Sequence, residues 1–409
     1  MQQVWQAYKP AQGHPDWDDL QRRAAALVAQ AVPLLPPRSR LQDVWRVARS
    51  LSTIARTFQA NRATLARGDE AIRPLFFIWT MLNACNFDCG YCDNHQGMKY
   101  PDLPNRGALG TEQGKQLLKV MRTRTTAIYF CGGEPTLRPD LPDLVEEASR
   151  LGYFPMMINT NASRLHHLLS KPGGARWLSH IDAVIVSLDA LNLDVLRQMY
   201  GYATPEDVIV NTLALSALSR RMGFKVVLNC VIQPGLIDEA RAVFDFSQDI
   251  GCTFACLPMN AGSEIAGGLR DDPEYLALAR EIIGRAARGA RVAGGPRIIE
   301  SLLFSKPRRC LPTTFVHVDP DGSVIWPCKP AVRVGPHHVQ ALGKSNLDQI
   351  WAEARRQFDP TGFRDSEACS GECNWLQHYV ADAYVKALRN PRSQAWALRE
   401  ALALYLRKK

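Results

Sequence analysis

Cys85, Cys89 and Cys92 fall within one eight-residue stretch, Cys85-Asn86-Phe87-Asp88-Cys89-Gly90-Tyr91-Cys92. The thiolate is the metal-binding form of cysteine, and this spacing keeps three of them on one tight loop. Three such thiolates can hold three corners of an iron–sulfur cube. A structural metal site is usually closed by its last ligand, whereas an open position is where chemistry takes place. The run lacks a fourth cysteine, which leaves one iron for something else to bind. Three cysteines at such spacing also arise by chance in a cysteine-rich chain, so the surroundings must decide.

A second group is Cys131-Gly132-Gly133-Glu134-Pro135. Without a Cβ, paired glycines let the backbone approach a ligand closely, and the glutamate can pair with an ammonium group; the alternative is an ordinary turn. Asn159 and Ser187 end later strands with polar side chains and could equally be satisfied turn residues. Asp189 is a candidate base, or the cap of the following helix. Cys310, Cys328, Cys369 and Cys373 form a third group, with the last two closely spaced. Four thiolates can close a four-cysteine iron–sulfur site or a structural zinc site. Cys131, Cys230, Cys252 and Cys256 lie in or beside strands, where cysteine usually acts as a small hydrophobe. Cys131 and Cys256 are also candidate hydrogen-atom donors at strand ends. His166, His167, His337 and His338 lack the spacing of a ligand pair on one helical face.

The elements that must position these groups are legible in the pattern. Residues 1–72 read as a separate helical segment. Asp16 or Asp18 caps a helix from about Leu20 to Val32, and Pro33, Pro36 and Pro37 break it. A second helix over Leu41–Leu65 has Leu41, Val44, Trp45, Ala48, Leu51, Ala55 and Phe58 at helical spacing. Arg46, Arg49 and Arg56 flank this stripe. It is expected to pack on the following domain; the alternative is a peripheral membrane or partner contact.

From Arg73 strands alternate with helices. Strands are expected at Leu75–Met81, Ala127–Phe130, Phe154–Asn159, Ile181–Leu188, Lys225–Ile232 and Thr253–Leu257. Helices are expected at Thr111–Met121, Leu141–Arg150, Leu165–Leu169, Pro205–Arg220 and Ile237–Ile250. Near-continuous apolar strands between helices predict a parallel sheet covered by helices. Six units make a partial (β/α)6 TIM-like barrel over residues 73–260, with active groups at the C-terminal ends of the strands. A helical linker follows (261–304, helices at Pro273–Ala287 and Pro296–Phe304). An auxiliary domain (305–380) has strands Phe315–Val318 and Val324–Trp326 around the Asp319-Pro320-Asp321-Gly322 turn. Helices near Asn346–Arg356, Trp375–Leu388 and Ser393–Leu406 close the chain, the last within a C-terminal segment, 381–409. The class is thus α/β, with N-terminal helices and a small hairpin-plus-helix extension.

With 409 residues, 46% hydrophobic and 22% charged, the chain has room for two or three globular domains. No apolar run is long enough to span a membrane, and the first residues lack a secretory pattern. A cytoplasmic location is expected, where 11 cysteines point to metal or redox work rather than disulfides. The net charge of +9 serves solubility, and no nucleic-acid signature accompanies it.

The cysteine run and Gly132-Gly133-Glu134-Pro135 end the first two strands and so share one mouth. Together they resemble the radical S-adenosylmethionine (SAM) enzymes. The resemblance implies a [4Fe–4S] cluster on Cys85, Cys89 and Cys92, with the amine and carboxylate of SAM on its open iron. It implies that Gly132, Gly133 and Glu134 hold the methionine amino group, that Tyr91 and, less strongly, Leu257 contact adenine, that Ser187 contacts SAM, and that Asn159 points to SAM or substrate. Asn159-Thr160-Asn161, Ser187-Leu188-Asp189 and Val226–Ile232 resemble the molybdenum-cofactor cyclase branch. That branch ends in paired glycines and this chain in Arg407-Lys408-Lys409, so its specific activity is not expected. Cys310, Cys328, Cys369 and Cys373 resemble the shorter, twitch-like form of the SPASM extension, which implies a second, auxiliary [4Fe–4S] cluster. The implied chemistry is reductive cleavage of SAM to a 5′-deoxyadenosyl radical that takes hydrogen from unactivated carbon. Asp189 would then take a proton from the substrate radical, or Cys131 or Cys256 donate hydrogen to it. The electron would come from a donor such as flavodoxin or ferredoxin. The first expectation for the substrate is a small molecule (sugar, nucleotide or lipid-like). The alternatives are a ribosomally made peptide matured by a SPASM-type enzyme and, from another class, a non-catalytic metal scaffold or sensor. Purely helical N-terminal residues, in place of the mixed leader-binding domain of many peptide maturases, favour the small molecule.

Overall fold

Each strand of the repeat is short and apolar, and each is followed by a helix with one apolar stripe. The chain, a computed structural model, is described for residues 15–36, 40–69, 72–92, 107–261, 264–308, 311–325, 338–340 and 374–395. After helices α1 (Trp17–Ala31) and α2 (Arg40–Ala66) come β1 (Phe76–Thr80), α3 (Thr111–Arg122), β2 (Ala127–Cys131), α4 (Leu141–Arg150), β3 (Met156–Thr160) and α5 (Leu165–Leu169). Then follow β4 (Ala183–Ser187), α6 (Leu193–Tyr200), α7 (Glu206–Met222), β5 (Lys225–Ile232), α8 (Ile237–Asp249) and β6 (Thr253–Pro258). Beyond the repeat lie β7 (Asn260–Ala261), β8 (Glu264–Ile265), α9 (Gly267–Arg270), α10 (Pro273–Ala287), α11 (Gly295–Leu303), β9 (Phe315–Val318), β10 (Ser323–Ile325), β11 (His338–Gln340) and α12 (Leu376–Arg389).

Strands β1 to β6 pair in chain order, all parallel, as a half-barrel. Burial alternates residue by residue along β3, β4 and β5. Ile158, Val184, Val186, Val226, Leu228 and Cys230 are buried beneath the helices. Met157, Asn159, Ile185, Ser187, Val227, Asn229 and Val231 are half-exposed on the opposite, concave face. Successive strand residues point to opposite faces, so this alternation decides which side chains can meet a ligand.

The sheet has a seventh parallel strand. The hairpin expected in a separate extension lies edge-on to the barrel: β9 runs parallel to β1, and β10 and β11 continue antiparallel. Leu75 N donates to Thr314 O at 2.8 Å, and the Phe76 and Phe315 rings meet at 4.6 Å. Without β9, β1 would be a bare apolar edge, which sheets avoid. Gly322 makes the turn between β9 and β10 at φ +83°.

The N-terminal helices are not a separate unit. Asp16 caps α1 by accepting the Asp19 N–H at 3.1 Å. Trp17, Leu20, Ala24 and Leu27 are buried within the main core; α1 lies along α7, with Arg23 paired to Asp207 at 2.8 Å and Trp17 against Phe246 at 5.4 Å. On α2 the described members of the expected apolar stripe divide: Phe58 is half-buried against Tyr384, but the earlier ones face outward. Val44 and Leu51 are 67% and 57% exposed, while Ser50, Thr57, Asn61 and Leu65 turn inward. Asn61 decides this: its amide donates to Arg73 O and Tyr384 Oη at 3.0 Å each and accepts the Arg73 N–H at 2.8 Å. A periodic stripe says that a helix has an apolar side; specific polar anchors can still turn another side inward.

The expected helix over Asn346–Arg356, most of that over Ser393–Leu406, the side chains of Leu41, Trp45, Arg46 and Arg49, and His337 lie outside the described residues, as do Cys310, Cys328, Cys369 and Cys373. Among the described residues no helix is long and apolar enough to cross a membrane.

Candidate active site

The cysteine loop leaves the C-terminal end of β1 and is held from three sides. On the first, Met81 N donates to Cys131 O at 2.7 Å, Gly133 N to Leu82 O at 2.8 Å and Glu134 N to Ala84 O at 2.9 Å. These bonds press the two backbones together. A Cβ at Gly133 would lie 2.0 Å from Ala84 O, and one at Gly132 would lie 2.7 Å from Leu82 O. The sequence reading has these glycines admitting a ligand; the backbone they admit is this chain's own residues 82–84. Arg138 adds a clamp, donating to Met81 O at 2.8 Å and Leu109 O at 3.0 Å while gripping Asp140.

Glu134 is fully buried. One carboxylate oxygen accepts from Thr136 N, Thr136 Oγ1 and Thr160 Oγ1 at 3.0, 2.6 and 2.7 Å, and the other from Asn161 N at 2.6 Å. Burial raises its pKa, and these donors work against the rise. The sequence reading gives this carboxylate an ammonium as partner; in the structure it instead ties the end of β2 to the turn after β3.

That turn supplies the second side. Asn161 Nδ2 reaches Cys85 Sγ at 3.9 Å and Asn86 Oδ1 at 3.0 Å, and Asn86 Nδ2 donates to Ser163 Oγ at 2.8 Å. The third side is the end of α6, a helix the sequence reading omits although Asn192 caps its start and Gly201 its end. Phe87 lies between Tyr200 and Tyr202, centroids 4.6 and 4.9 Å away, and Asp88 N donates to Tyr200 O at 2.7 Å.

Tyr91 Oη donates to Asp189 Oδ2. The same carboxylate accepts from Val231 N at 2.7 Å and Tyr200 Oη at 3.3 Å. Asp189 is buried, which lifts its pKa to about 6. Neither expected role matches this placement: Asn192, not Asp189, caps α6, and a carboxylate enclosed by three donors positions Tyr91 rather than meeting a substrate.

Of the other expected residues, Asn159 and Ser187 stand on the concave face, level with Ile185 and Asn229 on the neighbouring strands. Leu257 is half-exposed on β6, and Cys131 ends β2 on the same side, its sulfur 3.8 Å from Thr80 Oγ1. Cys256 is fully buried in the core beside its register partner Cys230. It faces the helices, which leaves no path from its thiol to the strand-end mouth. Arg138, Tyr200 and Asn229 belong to the site region without having been singled out, and Asn161 was read only as part of the Asn159-Thr160-Asn161 stretch. Arg138-Pro139-Asp140 offered the one local signal, an Arg and an Asp close together beyond the glycine motif.

These residues fit an iron–sulfur cluster. Among the described residues no three His, Cys, Asp or Glu side chains converge on a single ion position. A cube does not ask for that, because each thiolate takes a different iron. Burial pushes the Cys85 and Cys89 thiols above their ordinary pKa, so cluster assembly must release protons. At the β6 end of the mouth, Asn260 Nδ2 donates to Asn374 O at 3.1 Å. The residue after Cys373 is thereby tied to the barrel rim.

The chain is 28% identical over 301 residues to a PqqA peptide cyclase of Streptomyces rochei, covering 69% of this chain and 76% of that one. It is 28% identical over 174 residues to a probable GTP 3′,8-cyclase of Metallosphaera sedula, covering 42% of this chain. It spans about half the length of that cyclase (51%). Its fold is similar to that of Streptococcus suis SuiB in a crystal structure with precursor peptide SuiA, with TM-score 0.56, 17% identity and coverage of 81% of this chain and 77% of that one. A sequence model of the Radical SAM superfamily matches residues 79–246, so this stretch of the chain is similar to a Radical SAM domain.

Proposed function

We propose that this radical SAM enzyme modifies a peptide, as a cyclase or related maturase. The observation that carries the reading is the extent of similarity. The peptide cyclase aligns over 301 residues, well beyond the matched domain, whereas the GTP cyclase aligns over 174. The expectation of a small-molecule substrate leaned on the helical N-terminus. Since α1 belongs to the core of the barrel, its helical character says little about how a substrate is recognised.

A [4Fe–4S] cluster with SAM supplies, when bound, a one-electron reduction that generates a carbon radical able to take hydrogen from unactivated carbon. The chain's own residues position and shield that chemistry. Cys85, Cys89 and Cys92 would be the ligands, and Asn86, Phe87 and Tyr91 hold their loop. Asn159, Ser187 and Leu257 offer two polar and one apolar contact for SAM. Cys131 remains a candidate hydrogen donor. Cys310, Cys328, Cys369 and Cys373 would hold an auxiliary cluster with no open iron, able to accept or relay an electron.

The test is anaerobic reconstitution with iron and sulfide. Two four-iron clusters predict about eight irons per chain. With SAM and dithionite, 5′-deoxyadenosine should form, and a short peptide encoded near the gene should lose two hydrogens or gain a cross-link by mass spectrometry. Deoxyadenosine release with an unchanged peptide and an altered small molecule in cell extract would return the reading to a small-molecule substrate.

A further inference from the structure

The turn after β3 carries a feature that the general chemistry does not require. Asn161 is 7% exposed. Its amide oxygen accepts from Ser163 N at 3.0 Å and Ser163 Oγ at 2.8 Å, which assigns the amide orientation. The amide nitrogen is thereby turned toward Asn86 Oδ1 at 3.0 Å and Cys85 Sγ at 3.9 Å. The Phe87 N–H reaches the same sulfur at 3.4 Å. The next residue, Ala162, has φ +60°, a strained conformation for a residue with a Cβ. It is held there by Thr160 Oγ1, which accepts the Ala162 N–H at 3.0 Å, and by Asn211, which donates to Ala162 O at 2.7 Å. A strained turn braced on both sides aims one side-chain donor at one thiol.

We propose that Asn161 donates a hydrogen bond to the cluster-bound Cys85 sulfur and thereby raises the reduction potential of the SAM-binding cluster. One added electron increases the negative charge on the cluster and its sulfur ligands. A donor aimed at such a sulfur stabilises the reduced state more than the oxidised one. Reduction by an external one-electron donor is therefore easier with Asn161 in place. The inference rests on Cys85, Cys89 and Cys92 being cluster ligands.

The test uses reconstituted full-length protein and its Asn161→Leu variant, which keeps the branched shape and removes the donor. The SAM-binding cluster is identified by the change in its electron paramagnetic resonance signal when SAM is added. Absence of that signal, or of its iron, from the wild type overturns the ligand reading itself. With the signal present, a redox titration should place the variant's cluster lower than the wild type's. A tenfold loss in the reduction equilibrium reads as about 59 mV for one electron. An unchanged potential at full iron content overturns the inference. A second measurement holds even if the variant does not fold. Wild-type protein carrying 15N-asparagine should show a nitrogen coupling to the reduced cluster by pulsed resonance; no such coupling overturns the proposal. Ser163→Ala, which removes one of the two donors that fix the amide orientation, should weaken that coupling and lower the potential by less than Asn161→Leu.

Discussion

Gly133→Ala separates two reasons for a glycine at the end of β2. Neither Gly132 nor Gly133 has a positive φ, so a side chain costs nothing in backbone conformation. What it costs is space. The added Cβ would sit 2.0 Å from Ala84 O, 2.4 Å from Ala84 C and 2.5 Å from Asn83 O, where ordinary contact begins at 3.4 Å. All three are backbone atoms, so no rotamer change relieves the clash, and the loop must retreat by about 1.4 Å. That retreat breaks the bonds from Gly133 N to Leu82 O and from Glu134 N to Ala84 O. Overpacking costs about 1–3 kcal/mol and each backbone bond about 0.5–1.5 kcal/mol, together roughly 2–6 kcal/mol. At roughly 2–4 °C per kcal/mol for a domain of this size, metal-free protein should melt on the order of 10 °C lower. Reconstituted variant should lose the three-cysteine cluster, because Cys85 follows the displaced segment directly. Gly90→Ala is the control: it lies inside the cysteine run, yet its Cβ meets no described atom within 4 Å. Its metal-free melting temperature should stay near the wild type's. A Gly133→Ala protein with wild-type melting and a wild-type cluster signal would refute the reasoning.

Three further predictions follow from the same contacts. Asp189 has a folded pKa near 6 against 3.8 for an unburied Asp, so the folded state holds its proton more tightly. This contribution to stability is complete below about pH 4 and lost as pH rises through 6; at 1.36 kcal/mol per unit it spans about 3 kcal/mol. In metal-free protein the unfolding free energy of the wild type minus that of Asp189→Asn should fall by about this much from pH 4 to 7; a flat difference would count against it. Arg138→Lys keeps the charge but loses the fork that serves Asp140 and two carbonyls, so urea unfolding should show a loss of about 1–3 kcal/mol, and a neutral result would show that the clamp is dispensable. Leu51→Lys, on the outward face of α2, should change stability by no more than about 0.5 kcal/mol; a large loss would mean that this face is covered after all.

Much of this protein is readable along the chain because the signals are local. Three cysteines on one loop need no tertiary information to come together, and a β/α alternation is written in the periodicity of each segment. The turn at Gly322 and the cap at Asp16 follow from residues within a few positions of each other. What failed were inferences about which side chains two distant segments turn toward each other. The inward side of α2 was set by Asn61 meeting Arg73 and Tyr384, not by the longest apolar stripe. Strand β9 joined the barrel because β1 had an edge to cover, and Cys256 was turned away from the mouth by the pleat of β6. Glu134 and Asp189 were identified as important residues, but their partners come from Thr160, Asn161, Tyr91 and Val231, on other strands and loops. The sequence by itself pointed to the reaction class, because the cysteine run and the Gly132-Gly133-Glu134-Pro135 run are each legible within one local stretch. Only the tertiary structure decided which polar groups face the mouth and which hold it in place, because strand register and burial are properties of the assembled sheet.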